Sequence, residues 1–439
     1  MQGTRAQLLY ERWLDLAEAR RAGTALRDLA TGISLTFGDL LAEVQRRPRG
    51  QRGLLRPVVA GSWRFVVEVL VAWRDGAVLL PLEPSAKAPA LPAASPPDAA
   101  CHAKTTSGST GVPRLIWLSA SQMAADADQI VPAMGLEPGV PNLAAISMAH
   151  SYGFSNLVLP LLLHGIPLEL APNPLPATIA ACLRRAGGQR AVAAVPSLWR
   201  AWLAAGAVDG GAVATAISAG APLPVDLEQE AFRSAGLRIH NFLGASECGG
   251  IAFDASPGPR TDPTLAGRPL PAAAVATAPD GRIVVRGPAV GLGYADGADG
   301  LGDGVFTTSD LGYVSAAGAV HLTGRVSDLI HVAGRKLSPA RVEDVLAACP
   351  GVLHCLVFGT ASADPVRGEE IVAVLAPGPG FALDAAKALC GARLEAWECP
   401  RHWWVTDTLA PDARGKIPRS GWQAAWLARG SGRSTARPG

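Results

Sequence analysis

The sequence lacks paired cysteines. Its seven cysteines form no Cys-x-x-Cys pair and no cluster with histidine at metal-ligand spacing. A zinc or iron–sulfur site built from such a motif is therefore not expected. Scattered single thiols are typical of proteins in a reducing compartment, and we expect a cytoplasmic protein.

An excess of charge of one sign is also missing. The chain has 39 Lys and Arg residues against 37 Asp and Glu residues. Its overall charge therefore favours neither nucleic acid nor an anionic membrane surface, and we expect no nucleic-acid partner.

Long apolar runs are absent as well. The most apolar stretch, Leu157 to Leu163, is interrupted by Pro160 and is far shorter than the ~20 residues that span a bilayer. The first 21 residues mix charged and apolar side chains and contain no apolar signal core. We therefore expect a soluble protein without a membrane span.

Hydrophobic residues are nevertheless plentiful, at 49% of 439 residues. Because single cores stop growing beyond ~250–300 residues, two or more domains are expected. Residues 58–61 and 76–82 are predicted strands on either side of a predicted helix at 65–73, an order that indicates a parallel sheet. Further strands are predicted at 143–148, 168–171, 191–194, 215–218 and 282–287.

A smaller unit begins near Arg325. Its predicted elements are a helix at 340–348, strands at 353–358 and 371–375, a helix at 383–394, and a loop that carries a lysine. From residue 430 onward the chain is rich in Gly, Ser and Arg, a composition typical of disorder.

A run of hydroxyls and glycines is the most informative local feature. It comprises Thr105, Thr106, Ser107, Gly108, Ser109, Thr110 and Gly111, and Arg114 follows shortly after. Hydroxyl donors beside backbone N–H groups without blocking Cβ atoms can converge on phosphate oxygens. The usual P-loop spacing is absent from the chain. A surface turn rich in Ser, Thr and Gly is the alternative for this segment taken alone.

Three later segments favour the nucleotide-binding interpretation. They are Asn241–Glu247, then Thr307–Tyr313 with Gly324 and Arg325 shortly after, and finally Pro411–Arg419. In this order and at these distances, they resemble the motifs of the adenylate-forming superfamily. That superfamily comprises acyl- and aryl-CoA ligases, adenylation domains that load carrier proteins, and luciferases. The resemblance runs over nearly the whole chain.

The resemblance implies a mixed α/β fold in two domains. Residues 1–325 would form a large N-terminal domain of parallel sheets flanked by helices, which binds ATP and the acid. Residues 326–429 would form a small, mobile α+β C-terminal domain that carries the catalytic lysine. Residues 430–439 would be a disordered tail.

The resemblance also assigns roles in ATP binding. The loop residues Thr105 to Gly111 would contact phosphates, as would Arg114, which stands where relatives usually carry Lys. Glu247 and Thr110 would hold Mg²⁺, and Leu243, Gly244 and Ser246 would border the nucleotide. Asp310 and Arg325 would hold the ribose. The catalytic set would be Lys416, Glu247 and Thr106.

The acid pocket would lie beside the segment His150-Ser151-Tyr152-Gly153. Its predicted lining is His150, Tyr152, Ser218, Ala219, Gly220, Ala221, Gly244 and Ala245. No acidic residue lies between residues 144 and 165. Adenylation domains that activate amino acids commonly use Asp to bind the substrate ammonium group, so an α-amino acid is disfavoured here. Small wall residues leave room for a ring or a chain. An aryl or hydroxyaryl acid is the first expectation and a fatty acid the second.

The implied activity is an ATP- and Mg²⁺-dependent acid–thiol ligase. Its acceptor would be CoA or the phosphopantetheine of a separate acyl carrier protein. Whether the protein forms a homodimer stays an open question. The small domain would pivot at Ser327, where relatives have Asp or Lys. The alternative is a non-catalytic nucleotide-binding scaffold or regulator, suggested by departures from the family pattern at Leu243, Ser309, Ser327 and His331. The joint presence of Glu247, Asp310, Arg325 and Lys416 favours the enzyme.

Overall fold

The computed structural model describes residues 5–84, 95–106, 114–185, 188–362, 364, 368–411 and 417–431. The helices are α1 Arg5–Ala19, α2 Phe37–Arg46, α3 Trp63–Asp75, α4 Ala120–Ala133, α5 Ser151–Gly153, α6 Leu159–His164, α7 Pro176–Leu183, α8 Pro196–Ala204, α9 Val225–Ala235, α10 Pro339–Ala347, α11 Leu383–Arg393 and α12 Arg419–Ser431. A π-helical segment covers Phe154–Val158, and 3-10 turns cover Gly210–Ala212 and Val326–Asp328.

The first strands are β1 Thr24–Asp28, β2 Ser34–Thr36, β3 Leu55–Val59, β4 Val78–Leu82, β5 Ala100–Thr105, β6 Leu115–Ser119, β7 Asn142–Ala144, β8 Leu168–Leu170, β9 Arg190–Ala194, β10 Val213–Ser218, β11 Ile239–Ala245 and β12 Gly249–Phe253. The later strands are β13 Leu265–Pro269, β14 Ala274–Thr277, β15 Arg282–Arg286, β16 Gly293–Tyr294, β17 Leu301–Gly302, β18 Val305–Val314, β19 Val320–Arg325, β20 Ile330–Val332, β21 Arg335–Leu337, β22 Val352–Ala361, β23 Glu369–Pro377 and β24 His402–Val405.

A five-stranded sheet in the order β16-β6-β5-β4-β3 contains the predicted strand–helix–strand unit. Strands β3 and β4 are parallel, as their connection through α3 requires. Helix α3 ends at Gly76, whose positive φ of 69° lets the chain turn back into β4. Strands β5 and β6 are antiparallel, and the hydroxyl-rich loop joins them.

The larger sheet has 14 strands, and the pairing of neighbouring strands changes from parallel to antiparallel across it. Strands β1, β8, β7, β9, β10 and β11 are parallel neighbours in that order. From β12 onward the pairings are antiparallel, so the predicted mixed α/β fold is confirmed, with parallel strands on one side of the sheet and antiparallel strands on the other. The strand predicted at 143–148 is confined to Asn142–Ala144, because Ser147 and its neighbours form a turn before α5.

The smaller C-terminal domain is built on β22, β23 and β24. Strand β23 pairs antiparallel with β22 and parallel with β24. Buried residues of α10 and α11 pack on one face of this sheet. On the other face, Trp404 packs with Trp422 and Trp426 of α12. All four helices and strands that the sequence predicts here are present.

Helix α12 continues through Gly430 and Ser431, two residues into the segment predicted to be a disordered tail. The remainder of that tail lies outside the described residues, and the boundary between residues 325 and 326 stays a prediction. Within the described parts of the chain, none of the helices has the length and apolarity needed to cross a bilayer.

Candidate active site

The base of the hydroxyl-rich loop is closed by Thr106 and Arg114. The Thr106 N–H donates to the Arg114 carbonyl oxygen at 2.8 Å, and the Arg114 N–H donates to Thr106 Oγ1 at 3.0 Å. Thr105 is the last residue of β5. These contacts form a narrow neck between β5 and β6. Ser107, Gly108, Ser109, Thr110 and Gly111 lie outside the described residues, so their predicted phosphate contacts stay predictions.

The Arg114 side chain is held by Asp296 and Tyr294. Its Nε and Nη2 donate to the two carboxylate oxygens of Asp296 at 2.9 and 3.0 Å. The guanidinium lies 3.7 Å from the centre of the Tyr294 ring, a cation–π arrangement suited to Arg. Arg114 thereby connects the start of β6 to Tyr294 of β16 and to Asp296, and its predicted phosphate contact stays a prediction.

Glu247 lies in the turn between β11 and β12. The Tyr294 hydroxyl donates to Glu247 Oε1 at 3.2 Å. Burial raises the pKa of the Glu247 carboxyl, while the Tyr294 hydrogen bond and the charges of Arg325 and Lys104 act in the opposite direction. Within the described residues, no ion pair neutralises this carboxylate.

A buried lysine supports the same site. Lys104 of β5 is 4% exposed, and burial lowers the pKa of its ammonium group, while the carboxylates of Asp126 and Glu247 act in the opposite direction. Asp126 accepts from the Gly250 N–H at 2.9 Å and from Ser155 Oγ at 2.6 Å. Asp126 thereby fixes the start of β12, just after Glu247.

The two predicted ribose contacts are neighbours in the structure. Asp310 of β18 and Arg325 of β19 are directly paired across the two strands. Arg325 Nε donates to Asp310 Oδ1 at 2.5 Å, although half of the Arg325 side chain is exposed. Asp310 therefore keeps a second oxygen for another donor, which is the chemistry that two adjacent hydroxyls require.

Tyr152, a predicted wall of the acid pocket, is hydrogen-bonded at the ends of two parallel strands. Its hydroxyl donates to the carbonyl oxygens of Ala194 and Ile217 at 3.4 and 3.2 Å, at the carboxyl ends of β9 and β10. Ligands of open α/β sheets bind at this edge. The Ser218 hydroxyl is buried and has no hydrogen-bond partner among the described residues.

The other predicted walls follow the ends of β10 and β11. Ala219, Gly220 and Ala221 come directly after Ser218, and Gly220 has a positive φ of 84°. Leu243 is half-buried against the core, Gly244 is exposed, and Ala245 ends β11. Ser151 Oγ donates to Ser246 Oγ at 2.8 Å. The structure thereby brings the His150 segment to the Glu247 turn.

His150 has an acidic partner that the local sequence does not reveal. Glu83, one residue after β4, places Oε1 3.2 Å from His150 Nε2. The segment 144–165 has no acidic residue of its own, but Glu83 brings a carboxylate to it from elsewhere in the chain. Sequence reasoning did not point to Tyr294, Asp296, Lys104 or Glu83. Of these four residues, Tyr294 alone stands in a recognisable local pattern, the run Gly291-Leu292-Gly293-Tyr294.

Lys416 lies outside the described residues, so its catalytic role stays a prediction. Nearby, Arg419 at the start of α12 donates to the Val357 carbonyl oxygen at 2.8 Å and to Glu343 at 2.6 Å, and also pairs with Asp328. Ser327 belongs to the 3-10 turn between β19 and β20. Its predicted role as a hinge is likewise untested.

The described residues contain no ready-made cluster of metal ligands. Among them, no group of three or more His, Cys, Asp or Glu side chains could hold a metal ion. Mg²⁺ is commonly bound by one or two carboxylates together with substrate phosphates. Glu247 fits that role, because its carboxylate is desolvated and forms no ion pair with the described residues.

Comparison with known proteins is consistent with this site. Residues 59–295 match the sequence family described as AMP-binding enzyme, and residues 341–416 match the AMP-binding enzyme C-terminal domain. A feruloyl-CoA synthase from Amycolatopsis sp is 30% identical over 352 residues, which are 73% of this chain and 68% of that protein. An oxalate–CoA ligase from Arabidopsis thaliana is 37% identical over 145 residues, which are 32% of this chain and 28% of that protein.

The fold agrees with solved structures. ATP-bound MatB from Rhodopseudomonas palustris has a TM-score of 0.82 at 21% identity, over 95% of this chain and 98% of that chain. The shared fold includes the large N-terminal sheets and the smaller C-terminal domain. With two consecutive family matches and a relative aligned over most of its length, this chain belongs to the AMP-binding enzyme family, the adenylate-forming superfamily that its motifs resemble.

Proposed function

We propose that this protein activates a carboxylic acid with ATP. A carboxylate oxygen attacks the α-phosphorus, the bond to pyrophosphate breaks, and an acyl adenylate forms. In the second step a thiol sulfur attacks the acyl carbon, AMP leaves, and the thiol loses its proton. The acceptor is CoA or the phosphopantetheine of a separate acyl carrier protein.

The surroundings of Glu247 carry this proposal. Removing a carboxylate from water without an ion-pair partner costs free energy, and Glu247 has the Tyr294 hydrogen bond but no ion pair among the described residues. A turn that keeps such a carboxylate beside the neck of the hydroxyl-rich loop is therefore suited to a cation that also binds phosphates. Glu247 and Thr110 would hold Mg²⁺, which would neutralise phosphate charge in the transition state.

The remaining residues bind and orient the nucleotide. Asp310 accepts hydrogen bonds from the ribose hydroxyls, and Arg325 keeps its carboxylate in place through the contact at 2.5 Å. The buried charge of Lys104 favours the ionised form of Glu247. Lys416 stabilises the charge that develops as the carboxylate meets the α-phosphate. The ATP-bound state of MatB, which shares the fold, supports ATP as the nucleotide.

The acid is an aryl or hydroxyaryl acid, with a fatty acid as the second choice. The proposed walls from Ser218 to Ala221, with Gly244 and Ala245, are small residues, which suits a ring or a chain. Tyr152, which packs against Phe242 with ring centres 6.2 Å apart, would offer an aromatic wall to an aromatic guest. The feruloyl-CoA synthase among the relatives supports both an aromatic acyl group and CoA.

A panel of carboxylic acids in ATP–pyrophosphate exchange tests the proposal. We expect exchange with aromatic or fatty acids, and the panel includes α-amino acids because Glu83 places a carboxylate beside His150. The best acid is then offered CoA and holo-acyl carrier protein side by side to identify the acceptor. ATP binding without exchange on any acid would instead support the non-catalytic nucleotide-binding alternative, to which the departures at Leu243, Ser309, Ser327 and His331 point.

A further inference from the structure

The segment 291–296, which contains β16, joins the first strand after the hydroxyl-rich loop to the turn that carries Glu247. At its beginning the Gly291 N–H donates to the Glu247 carbonyl oxygen at 2.7 Å. Towards its end the Ala295 N–H donates to the Leu115 carbonyl oxygen of β6 at 2.8 Å. The backbone of this segment is therefore fixed to both parts of the candidate site.

Tyr294 contacts a carboxylate with its hydroxyl and a guanidinium with its ring. The hydroxyl donates to Glu247 Oε1 at 3.2 Å. The Arg114 guanidinium lies 3.7 Å from the ring centre and donates to the two carboxylate oxygens of Asp296 at 2.9 and 3.0 Å. Asp296 also accepts from the Ala298 N–H at 3.2 Å. In the order Asp296, Arg114, Tyr294 and Glu247, each side chain thus contacts the next.

The ion pair between Arg114 and Asp296 is poorly placed to stabilise the fold. Their side chains are 31% and 54% exposed, and an ion pair at such exposure contributes little to stability. Its geometry is nevertheless specific, because a planar guanidinium can form two parallel hydrogen bonds and still lie over an aromatic ring. A lysine at this position could keep the charge but not this arrangement. The contribution of the pair is therefore expected in the orientation of Tyr294.

We propose that Tyr294 is a positioning residue that keeps the Glu247 carboxylate in the orientation in which it binds Mg²⁺, and that Arg114 and Asp296 act through Tyr294. A carboxylate with one oxygen on the Tyr294 hydroxyl can present its other oxygen to a cation. Groups that hydrogen-bond to a metal ligand set its direction, and their loss commonly weakens metal binding by roughly 10–100-fold. The assignment rests on the Mg²⁺ part of the proposed function, because it takes Glu247 as the metal ligand.

Calorimetry of ATP binding, with Mg²⁺ and with EDTA, tests this inference without any turnover. The ratio of the two dissociation constants is the Mg²⁺ effect, and for wild type we expect Mg²⁺ to strengthen ATP binding by roughly tenfold or more. Tyr294→Phe should lower the Mg²⁺ effect by roughly tenfold. Arg114→Lys and Asp296→Asn, which lie one and two contacts further from Glu247, should each lower it by roughly threefold. The binding of AMP without metal and the unfolding midpoint of Asp296→Asn should not change.

Three further variants separate positioning from other roles. Asp296→Asn in the Tyr294→Phe background should cause little further loss, because its effect depends on the hydroxyl that is already missing. Asp280→Asn changes an aspartate that is 53% exposed and paired with a neighbouring arginine, and it should behave as wild type. Tyr10→Phe, at a tyrosine of α1 that packs on a tryptophan, should also behave as wild type.

The assignment is overturned if Tyr294→Phe keeps the full Mg²⁺ effect, if wild type shows none, or if AMP binding is lost in parallel, which would indicate a structural role. It is also overturned if Arg114→Lys lowers the Mg²⁺ effect while Asp296→Asn does not, since Arg114 would then contact phosphate directly. If the Mg²⁺ effect falls as expected but no acid supports pyrophosphate exchange, the positioning role stands and only the proposed acid activation fails. The exposed change Asp296→Asn decides the question even if Tyr294→Phe does not fold.

Discussion

Lys416 is the residue whose removal we expect to slow adenylation most. A cation that bridges carboxylate and phosphate in the transition state contributes little to the binding of ATP itself. Lys416→Ala should therefore lower pyrophosphate exchange by roughly 10²-fold or more, the order seen when one preorganised donor is removed. ATP affinity, measured by calorimetry, should change little. Lys387→Ala, at an exposed lysine of α11, is the matched control, and near-normal exchange in Lys416→Ala would remove this lysine from the mechanism.

Glu247 is the residue on which the proposed Mg²⁺ site depends. Glu247→Gln keeps the shape of the side chain and an acceptor for the Tyr294 hydroxyl, but it removes the charge. We expect the Mg²⁺ concentration for half-maximal exchange to rise roughly tenfold or more, with a lower maximal rate and unchanged folding. A Mg²⁺ titration of each variant measures this. Glu230→Gln, at an exposed pair with Arg233, is the control, and an unchanged Mg²⁺ dependence in Glu247→Gln would make Glu247 a structural residue.

At the scale of single elements, the close contact between the Ser147 turn and α5 gives a sharp test. Gly153→Ala would place a Cβ atom 1.9 Å from the Ser147 carbonyl oxygen, so the turn or the helix must shift. Overpacking of this kind costs about 1–3 kcal/mol. The π-helical segment Phe154–Val158 follows directly, and such segments are frequent at functional sites. We therefore expect a lower unfolding midpoint and a higher KM for the acid.

Gly421→Ala is the matched change elsewhere. Gly421 lies in α12, and a Cβ atom added there would have nothing within 4 Å, so alanine should stabilise that helix by roughly 0.5–1 kcal/mol. If Gly153→Ala unfolds at the wild-type midpoint, the Ser147 turn can move away from α5 at little cost, and the close contact between them does not contribute to stability.

At the scale of the whole molecule, the two half-reactions should be separable at Ser327. This residue lies in the 3-10 turn between the last strand of the large sheet and β20. Ser327→Pro fixes φ and removes a backbone donor. We expect acyl-adenylate formation to stay largely intact and transfer to the thiol to be blocked, because the proposed domain rotation would gate the second step. Single-turnover assays of each half-reaction measure this.

Ser327→Ala keeps the backbone N–H and should support both steps. Equal loss of both steps in Ser327→Pro would mean that residue 327 is not a pivot. Arg419 is relevant to this experiment, because it ties α12 to Asp328 of the same turn and to Glu343 of α10.

Local patterns in the sequence predict much of this protein. The apolar segments around α3 give the parallel pairing of β3 and β4, and the elements of the C-terminal domain are found where their periodicity places them. The order of four motifs identifies the superfamily. These features depend on residues that are close in the chain, where hydrophobic period and turn chemistry act directly.

The tertiary structure decides which distant side chains meet. Tyr294 reaches Glu247 across 47 residues of sequence, and Ser147 reaches Glu83 across 64. Lys104 comes near Glu247 because β5 and the β11–β12 turn belong to different sheets that face one site. Elements with a strong local period and the family itself could be predicted from the sequence alone, whereas the strand predicted at 143–148 ends early, at Ala144. The partners of Glu247 and His150 depend on strand register and sheet packing, and local periodicity does not encode contacts between segments so far apart.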